Sequence, residues 1–205
     1  MAFCLRLELT GRPCVVFGGG TQGLRRAKQL TAEGAEVTVY SPSFGPGWQD
    51  CPARLLPLAY APQLLDGAFL AAAATDDAAL NRRILADCAG RGVVGISSTA
   101  DPDAPFHPMA ARPFEGGVTA VSMPESPALA ALAAGELSQL AETRYAGRLN
   151  LLAAARRWVR TRLEPRQRRE LLRQLAALPA DQLARTLEEM GVPCQPKCPP
   201  KGELE

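Results

Sequence analysis

The chain has 205 residues, 23 Lys and Arg against 21 Asp and Glu, a net charge of +2, and 47% hydrophobic residues. That length suits one medium domain or two small ones with a real core. The near-neutral charge excludes a whole-chain nucleic-acid binder or an acidic disordered chain, and no apolar run reaches the roughly 18–20 residues of a membrane span. The single histidine, His107, excludes a site built on two or more His ligands from one chain.

Met1 to Leu9 reads as strand-like and lacks the charged-then-apolar pattern of a secretory leader. Pro13 to Phe17 is a buried-strand candidate, and Gly20 to Glu33 a helix with Leu24, Ala27 and Leu30 on one face and Gly34 as its stop. Glu36 to Tyr40, Arg54 to Leu58 and Ala68 to Ala74 follow as strands, then a helix from Ala78 to Arg91 ended by Gly92, then a strand from Val93 to Ser97. This alternation specifies a parallel sheet covered by helices. Gly116-Gly117 opens another strand, Val118 to Ser122, and Ser126-Pro127 is a cap-and-first-turn signal for a helix running to about Thr143. Tyr145 to Gly191 reads as all-helical, broken at Pro165 and Pro179, with Asp181 as a cap for the last helix. The tail from Val192 is rich in Pro and Lys. The expected division is residues 1–112, 113–144 and 145–205.

Charge is unevenly placed. Arg144 to Arg173 holds ten Arg and only Glu164 and Glu170 as acids, so this stretch carries +8 and the rest −6. Either it is a solvated helix face, or it serves anions.

Gly18, Gly20 and Gly23 form a G-x-G-x-x-G directly after a strand and opening a helix. In that context the first glycine makes a tight turn, the second admits a pyrophosphate, and the third lets helix and strand pack closely. Helix-start amides at Thr21 and Gln22 then hold the anion. A Rossmann-like α/β fold with a dinucleotide cofactor is therefore expected. The acid that usually grips the ribose is missing: Tyr40, Ser41, Pro42 and Ser43 occupy its place, so Ser41 is the candidate ribose contact, and the lean is to NAD. Thr75-Asp76-Asp77 follows the fourth strand, where it either lines the cofactor or caps the next helix through Thr75 or Asp76.

Taken in order, Gly11-Arg12, Gly18-Gly19-Gly20 with Arg25, Ala27 and Lys28, Gly67-Ala68-Phe69-Leu70, Ala74-Thr75-Asp76-Asp77, Asn81-Arg82, Ser126-Pro127-Ala128-Leu129-Ala130 and Arg144-Tyr145-Ala146 resemble one family. It is the precorrin-2 dehydrogenase / sirohydrochlorin ferrochelatase family of siroheme biosynthesis, which includes the N-terminal region of siroheme synthase. The resemblance implies an intertwined homodimer of three-part subunits, with a dinucleotide-binding domain, a dimerisation region and a helical substrate-facing domain. It implies NAD-dependent oxidation of precorrin-2 to sirohydrochlorin, and in some members insertion of ferrous iron at the same site. The substrate carries eight carboxylates, which the planar fork of Arg suits, so Arg144 and Arg148 are candidate contacts.

Two departures from the family pattern stand out. Its key Asp follows the fifth strand, where this chain reads Ser97-Ser98-Thr99-Ala100-Asp101-Pro102-Asp103. A gapless reading puts Ser98 in the slot as a substrate contact; a shifted one puts Asp101 there, with Asp103 next. A carboxylate is wanted because oxidation sheds a hydride and a proton, and the proton needs a base. Ser122-Met123-Pro124-Glu125 replaces the family's glycines, with Ser122 a candidate substrate contact. His107 either packs on its loop or carries protons near the crevice.

Six scattered cysteines read as reduced thiols in a cytoplasm, and Cys194 with Cys198 do not suffice for a zinc site, so no metal site is expected. Two other readings stay open. One is a tetrapyrrole- or nucleotide-binding module without the base, favoured by Ser98 in the Asp slot. The other, basic helices on nucleic acid, sits poorly with the neutral overall charge and the lack of an aromatic platform.

Overall fold

The computed structural model describes residues 4–98 and 104–193, which divide into two compact units, 1–108 and 109–205. The expected boundary at 112 thus moves four residues earlier, and the one between 144 and 145 falls inside a continuous helix.

The first unit is a five-stranded parallel sheet in the order β3-β2-β1-β4-β5. Its strands are β1 (Pro13–Phe17), β2 (Glu36–Tyr40), β3 (Arg54–Leu56), β4 (Leu70–Ala73) and β5 (Val94–Ser97). Helix α1 (Thr21–Ala32) links β1 to β2, and α2 (Ala78–Arg91) links β4 to β5. Strand residues alternate between two cores. Cys14, Val16, Leu70 and Ala72 pack with Ala27 and Leu30 of α1, while Val15, Phe17, Ala71 and Ala73 pack with Ile84, Leu85 and Cys88 of α2. That period of two, apolar on both faces, is what a doubly covered parallel sheet requires. The alanines of β4 are fully buried and small, so both helix layers approach it closely.

The second unit begins with an antiparallel hairpin, β6 (Ala110–Phe114) and β7 (Gly117–Val121), in register from Ala110 opposite Val121 to Phe114 opposite Gly117. The expected strand at 118–122 is present one residue earlier, and its partner β6 carries no sequence signal because Arg112 and Pro113 interrupt it. Helix α3 runs over 34 residues, Pro127–Arg160, well past the expected end near Thr143. Gly147 lies inside it with open space around the missing Cβ, so it weakens the helix by about 1 kcal/mol without ending it. Ser126 caps α3 as expected, accepting from the Leu129 amide at 3.4 Å, with Pro127 at the first helical position. Helices α4 (Pro165–Ala177) and α5 (Ala180–Glu189) fold back on α3 around Ala155, Leu175, Leu183 and Leu187. Asp181 sits in the first turn of α5, and the capping position is Pro179.

No helix of the described residues is long and apolar enough to cross a membrane. Among those residues Cys4, Cys14, Cys51 and Cys88 are free thiols.

Candidate functional site

In an open parallel sheet the ligand crevice lies outside the strand carboxyl ends, where the strand order reverses. Here that point falls between β1 and β4. The turn after β1 and the segment after β4 touch there. Ala74 N–H donates to the Phe17 carbonyl at 2.8 Å, and a Cβ on Gly18 would lie 2.2 Å from the Ala74 carbonyl oxygen. Gly18 also holds a left-handed φ of 125°, so only glycine serves at this bend.

Each remaining glycine of the turn has its own geometry. A Cβ on Gly23 would lie 2.0 Å from the Gly18 carbonyl oxygen, so this position keeps α1 against the turn. One on Gly19 would lie 2.0 Å from the Ser43 carbonyl oxygen. Gly20 is the exception: a Cβ there would meet nothing within 4 Å. Gly20 is also the N-cap of α1, with no side chain capping the helix and no acid in the first turn. The amides of Thr21, Gln22 and Gly23 therefore have no intrahelical partner, and Thr21 and Gln22 are exposed beside the open face at Gly20. Closed walls at Gly18, Gly19 and Gly23, an open face at Gly20 and uncapped amides fit a dinucleotide pyrophosphate.

The turn is held from behind by a residue the sequence reading missed. Trp48, in a 3-10 turn at Trp48–Asp50, is buried and donates its indole N–H to the Gly19 carbonyl at 2.7 Å. Gly45 N–H donates to the same oxygen at 2.9 Å, and Phe44 packs edge-on to the indole at 5.4 Å. The available signal was a Trp in a loop of a chain that has only two.

Ser41 stands at the end of β2, but it is 6% exposed and its hydroxyl donates to the Ser43 carbonyl at 2.7 Å. Only acceptor capacity remains there. Tyr40 stacks on Phe17 with centroids 5.7 Å apart.

After β4, neither Thr75 nor Asp76 caps the next helix. The cap of α2 is Asp77, whose carboxylate accepts from Ala79 and Leu80 at 2.8 and 3.1 Å. Thr75 is instead locked by Asn81, which is 2% exposed. The Asn81 side-chain oxygen accepts from the Thr75 amide and hydroxyl at 3.1 and 2.7 Å, and its amide donates to the Thr75 carbonyl at 2.9 Å. Asp76 is exposed at the rim. The Thr75 backbone is thus fixed at the crevice edge, and its hydroxyl is already engaged.

After β5, Ser98 N–H donates to the Ala73 carbonyl at 2.9 Å, and the Ser98 hydroxyl accepts from Arg26 Nε at 3.5 Å. Asp101 and Asp103 lie outside the described residues. His107 is exposed at the end of this unit.

Of the candidates in the second unit, Ser122 and Arg144 are exposed. Arg148 is committed to packing. It donates to the Ala176 carbonyl, lies over the Tyr145 ring at 5.4 Å, and has its Nε buried without a partner. Further along, Arg156, Arg160 and Arg169 rim a groove of about 330 Å³ lined by Val159 and Leu172.

Residues 5–107 match a family model described as "Putative NAD(P)-binding". The siroheme synthase of Chromobacterium violaceum is 44% identical over 96 residues, covering 45% of this chain and 20% of that protein. That of Methylobacillus flagellatus is 40% identical over 91 residues, covering 42% and 20%, and that of Escherichia coli O1:K1 is 42% identical over 88 residues, covering 40% and 18%. The chain spans about a fifth of the length of these relatives. Among solved structures, "SirC, precorrin-2 dehydrogenase" superposes with a TM-score of 0.67 at 23% identity, covering 92% of this chain and 100% of that one, which shows a shared fold across both units. With half of its length matched by the family model, and with a glycine turn shaped for a pyrophosphate, the chain belongs to this NAD(P)-binding family.

Proposed function

We propose that this protein oxidises precorrin-2 to sirohydrochlorin with NAD as the acceptor, in siroheme biosynthesis. The observation that carries the reading is the turn at Gly18–Gly23, closed on three sides and open at Gly20, at the switch point of a sheet whose relatives are siroheme synthases.

NAD, when bound, supplies the hydride acceptor. The chain's own work is the rest. The Thr21, Gln22 and Gly23 amides and the α1 dipole take the pyrophosphate, and Trp48 keeps the turn rigid under it. Asn81 fixes the Thr75 backbone beside the nicotinamide end, with Asp76 at the rim. Removing two hydrogens from the macrocycle sends one away as hydride and leaves one proton for a base. We assign that base to Asp101, with Asp103 as the neighbouring carboxylate; Ser98, in hydrogen bond to Arg26, has no carboxylate of its own to offer. Ser122, His107 and Arg144 are exposed polar groups and serve as substrate contacts in this reading.

The subunit works as a homodimer. Along α3, Ala134, Ser138 and Glu142 face the hairpin: Thr119 donates to the Ala134 carbonyl at 3.0 Å, Ser138 to the Pro113 carbonyl at 2.8 Å, and the Glu115 amide to Glu142 at 2.6 Å. Leu129, Leu132, Leu137 and Leu140 lie on the opposite side of the same helix and are 45–58% exposed. An apolar stripe of this kind on a helix already packed on its other side supports a partner helix.

The direct experiment follows NADH at its near-ultraviolet band after mixing the protein with precorrin-2 and NAD. NADH formation in step with sirohydrochlorin supports the reading. Tight sirohydrochlorin binding with no NADH from NAD or NADP favours the module without a base. Ferrous iron added after the NADH phase tests insertion in the same cuvette.

A further inference from the structure

Arg26 lies on α1 three residues beyond the last glycine of the turn and is half-buried. Its Nε donates to the Ser98 hydroxyl at 3.5 Å and its Nη1 to Gln29 Oε1 at 2.9 Å. Both acceptors are neutral, and among the described residues no carboxylate pairs with it. The ion pairs of those residues belong to Arg6, Arg83, Arg91 and Arg173 instead. Burial, and secondarily the like charge of Arg25, pulls the Arg26 pKa below its usual value, so the fold holds a cation where its charge is disfavoured. A half-buried guanidinium held by neutral acceptors is a favourable partner for an arriving anion.

Its position says which anion. The Ser98 contact puts the guanidinium beside the end of β5, at one edge of the sheet, two strands from β1. The ribose edge at Ser41 ends β2, on the other side of β1. Arg26 therefore addresses the far end of the crevice, beyond the pyrophosphate turn. We propose that Arg26 receives a carboxylate of the substrate, with Ser98 and Gln29 holding its planar fork in place. This rests on the reading of the crevice as a site for a polycarboxylate macrocycle.

The test titrates sirohydrochlorin and NADH separately into the full chain as wild type, Arg26→Gln, Arg26→Lys and Ser98→Ala. Loss of one charge-assisted hydrogen-bonded pair should weaken sirohydrochlorin binding about 10- to 100-fold in Arg26→Gln, with NADH affinity within about two-fold of wild type. Arg26→Lys should recover part of the loss, because it restores charge without the fork. Ser98→Ala should weaken sirohydrochlorin binding only several-fold. The melting temperature of Arg26→Gln should stay close to that of wild type, since the groups it leaves, Ser98 and Gln29, are neutral. Equal sirohydrochlorin affinity in wild type and Arg26→Gln overturns the assignment, as does an equal loss of NADH affinity. A lowered melting temperature with unchanged sirohydrochlorin affinity makes Arg26 structural. If Arg26→Gln does not fold, Arg26→Lys and Ser98→Ala carry the comparison, and unchanged sirohydrochlorin affinity in both overturns the proposal. Wild type that binds NADH but no tetrapyrrole refutes the functional reading itself, and Arg26 with it.

Discussion

Gly20→Ala separates folding from cofactor binding more cleanly than any other change in the turn. The added methyl would meet no protein atom within 4 Å, and the backbone at Gly20 is extended, with φ −83° and ψ −172°. Folding should lose at most about 1 kcal/mol from the poorer N-cap, or about 2–4 °C of melting temperature for a chain of this size. The methyl would, however, stand on the open face where a pyrophosphate must approach the Thr21 and Gln22 amides. Displacing even one charged hydrogen bond removes about 1.5–3 kcal/mol, a loss of about 10- to 150-fold in NADH affinity. Gly23→Ala is the opposite case: its methyl would press on the Gly18 carbonyl at 2.0 Å, so the fold should lose about 1–3 kcal/mol. Isothermal titration with NADH, paired with thermal melts, reads both quantities. Wild-type NADH affinity in a well-folded Gly20→Ala protein would refute the placement of the pyrophosphate.

Trp48→Ala should destabilise the first unit by about 3–5 kcal/mol in urea melts, through lost packing and the lost bond to the Gly19 carbonyl, and should weaken NADH binding as well. Asn81→Ala leaves the Thr75 amide and carbonyl without their buried partner and should cost about 2–3 kcal/mol by the same assay. Burial pushes the thiols of Cys14 and Cys88 up to about 11 from an ordinary 9.0, so the folded state favours the neutral thiol. Their contribution to stability is complete below pH 9 and is lost as pH rises from there through about 11, which melts at pH 7.5 and 10.5 should show. Asp101→Asn should abolish NADH formation while leaving NADH binding intact; full turnover would transfer the base to Asp103. Leu132→Glu with Leu137→Glu should convert a dimer to a monomer in sedimentation equilibrium, and a wild-type monomer would remove the dimer from the account.

The first unit was legible because its signals are local. The apolar run of β1, the Val-Thr-Val-Tyr alternation of β2 and the Gly92 stop of α2 fall where the residues put them, since strand period and a left-handed glycine are read locally. The glycine motif likewise located the tight turn between β1 and α1. What stayed hidden depends on distant partners. Trp48 supports Gly19 across 29 residues of sequence, and nothing local in the loop declares that contact. Asp77, not Thr75 or Asp76, caps α2: all three are competent caps, and the distant Asn81 engages Thr75. Of the β6–β7 hairpin only β7 is legible, because Arg112 and Pro113 interrupt the apolar pattern of β6. Arg148 looked like a substrate contact in an Arg-rich stretch, yet it binds α3 to the end of α4. Helix α3 continues past Thr143 to Arg160, since no proline interrupts it there and Gly147 is tolerated inside it.

Calorimetric titration of NAD and NADH into the wild-type chain tests the central claim most directly, because every assigned role depends on a dinucleotide lying at the end of β1. Both forms should give saturable one-site heats, with each competing against the other. Absence of heat with NAD, NADH, NADP and NADPH alike would contradict it.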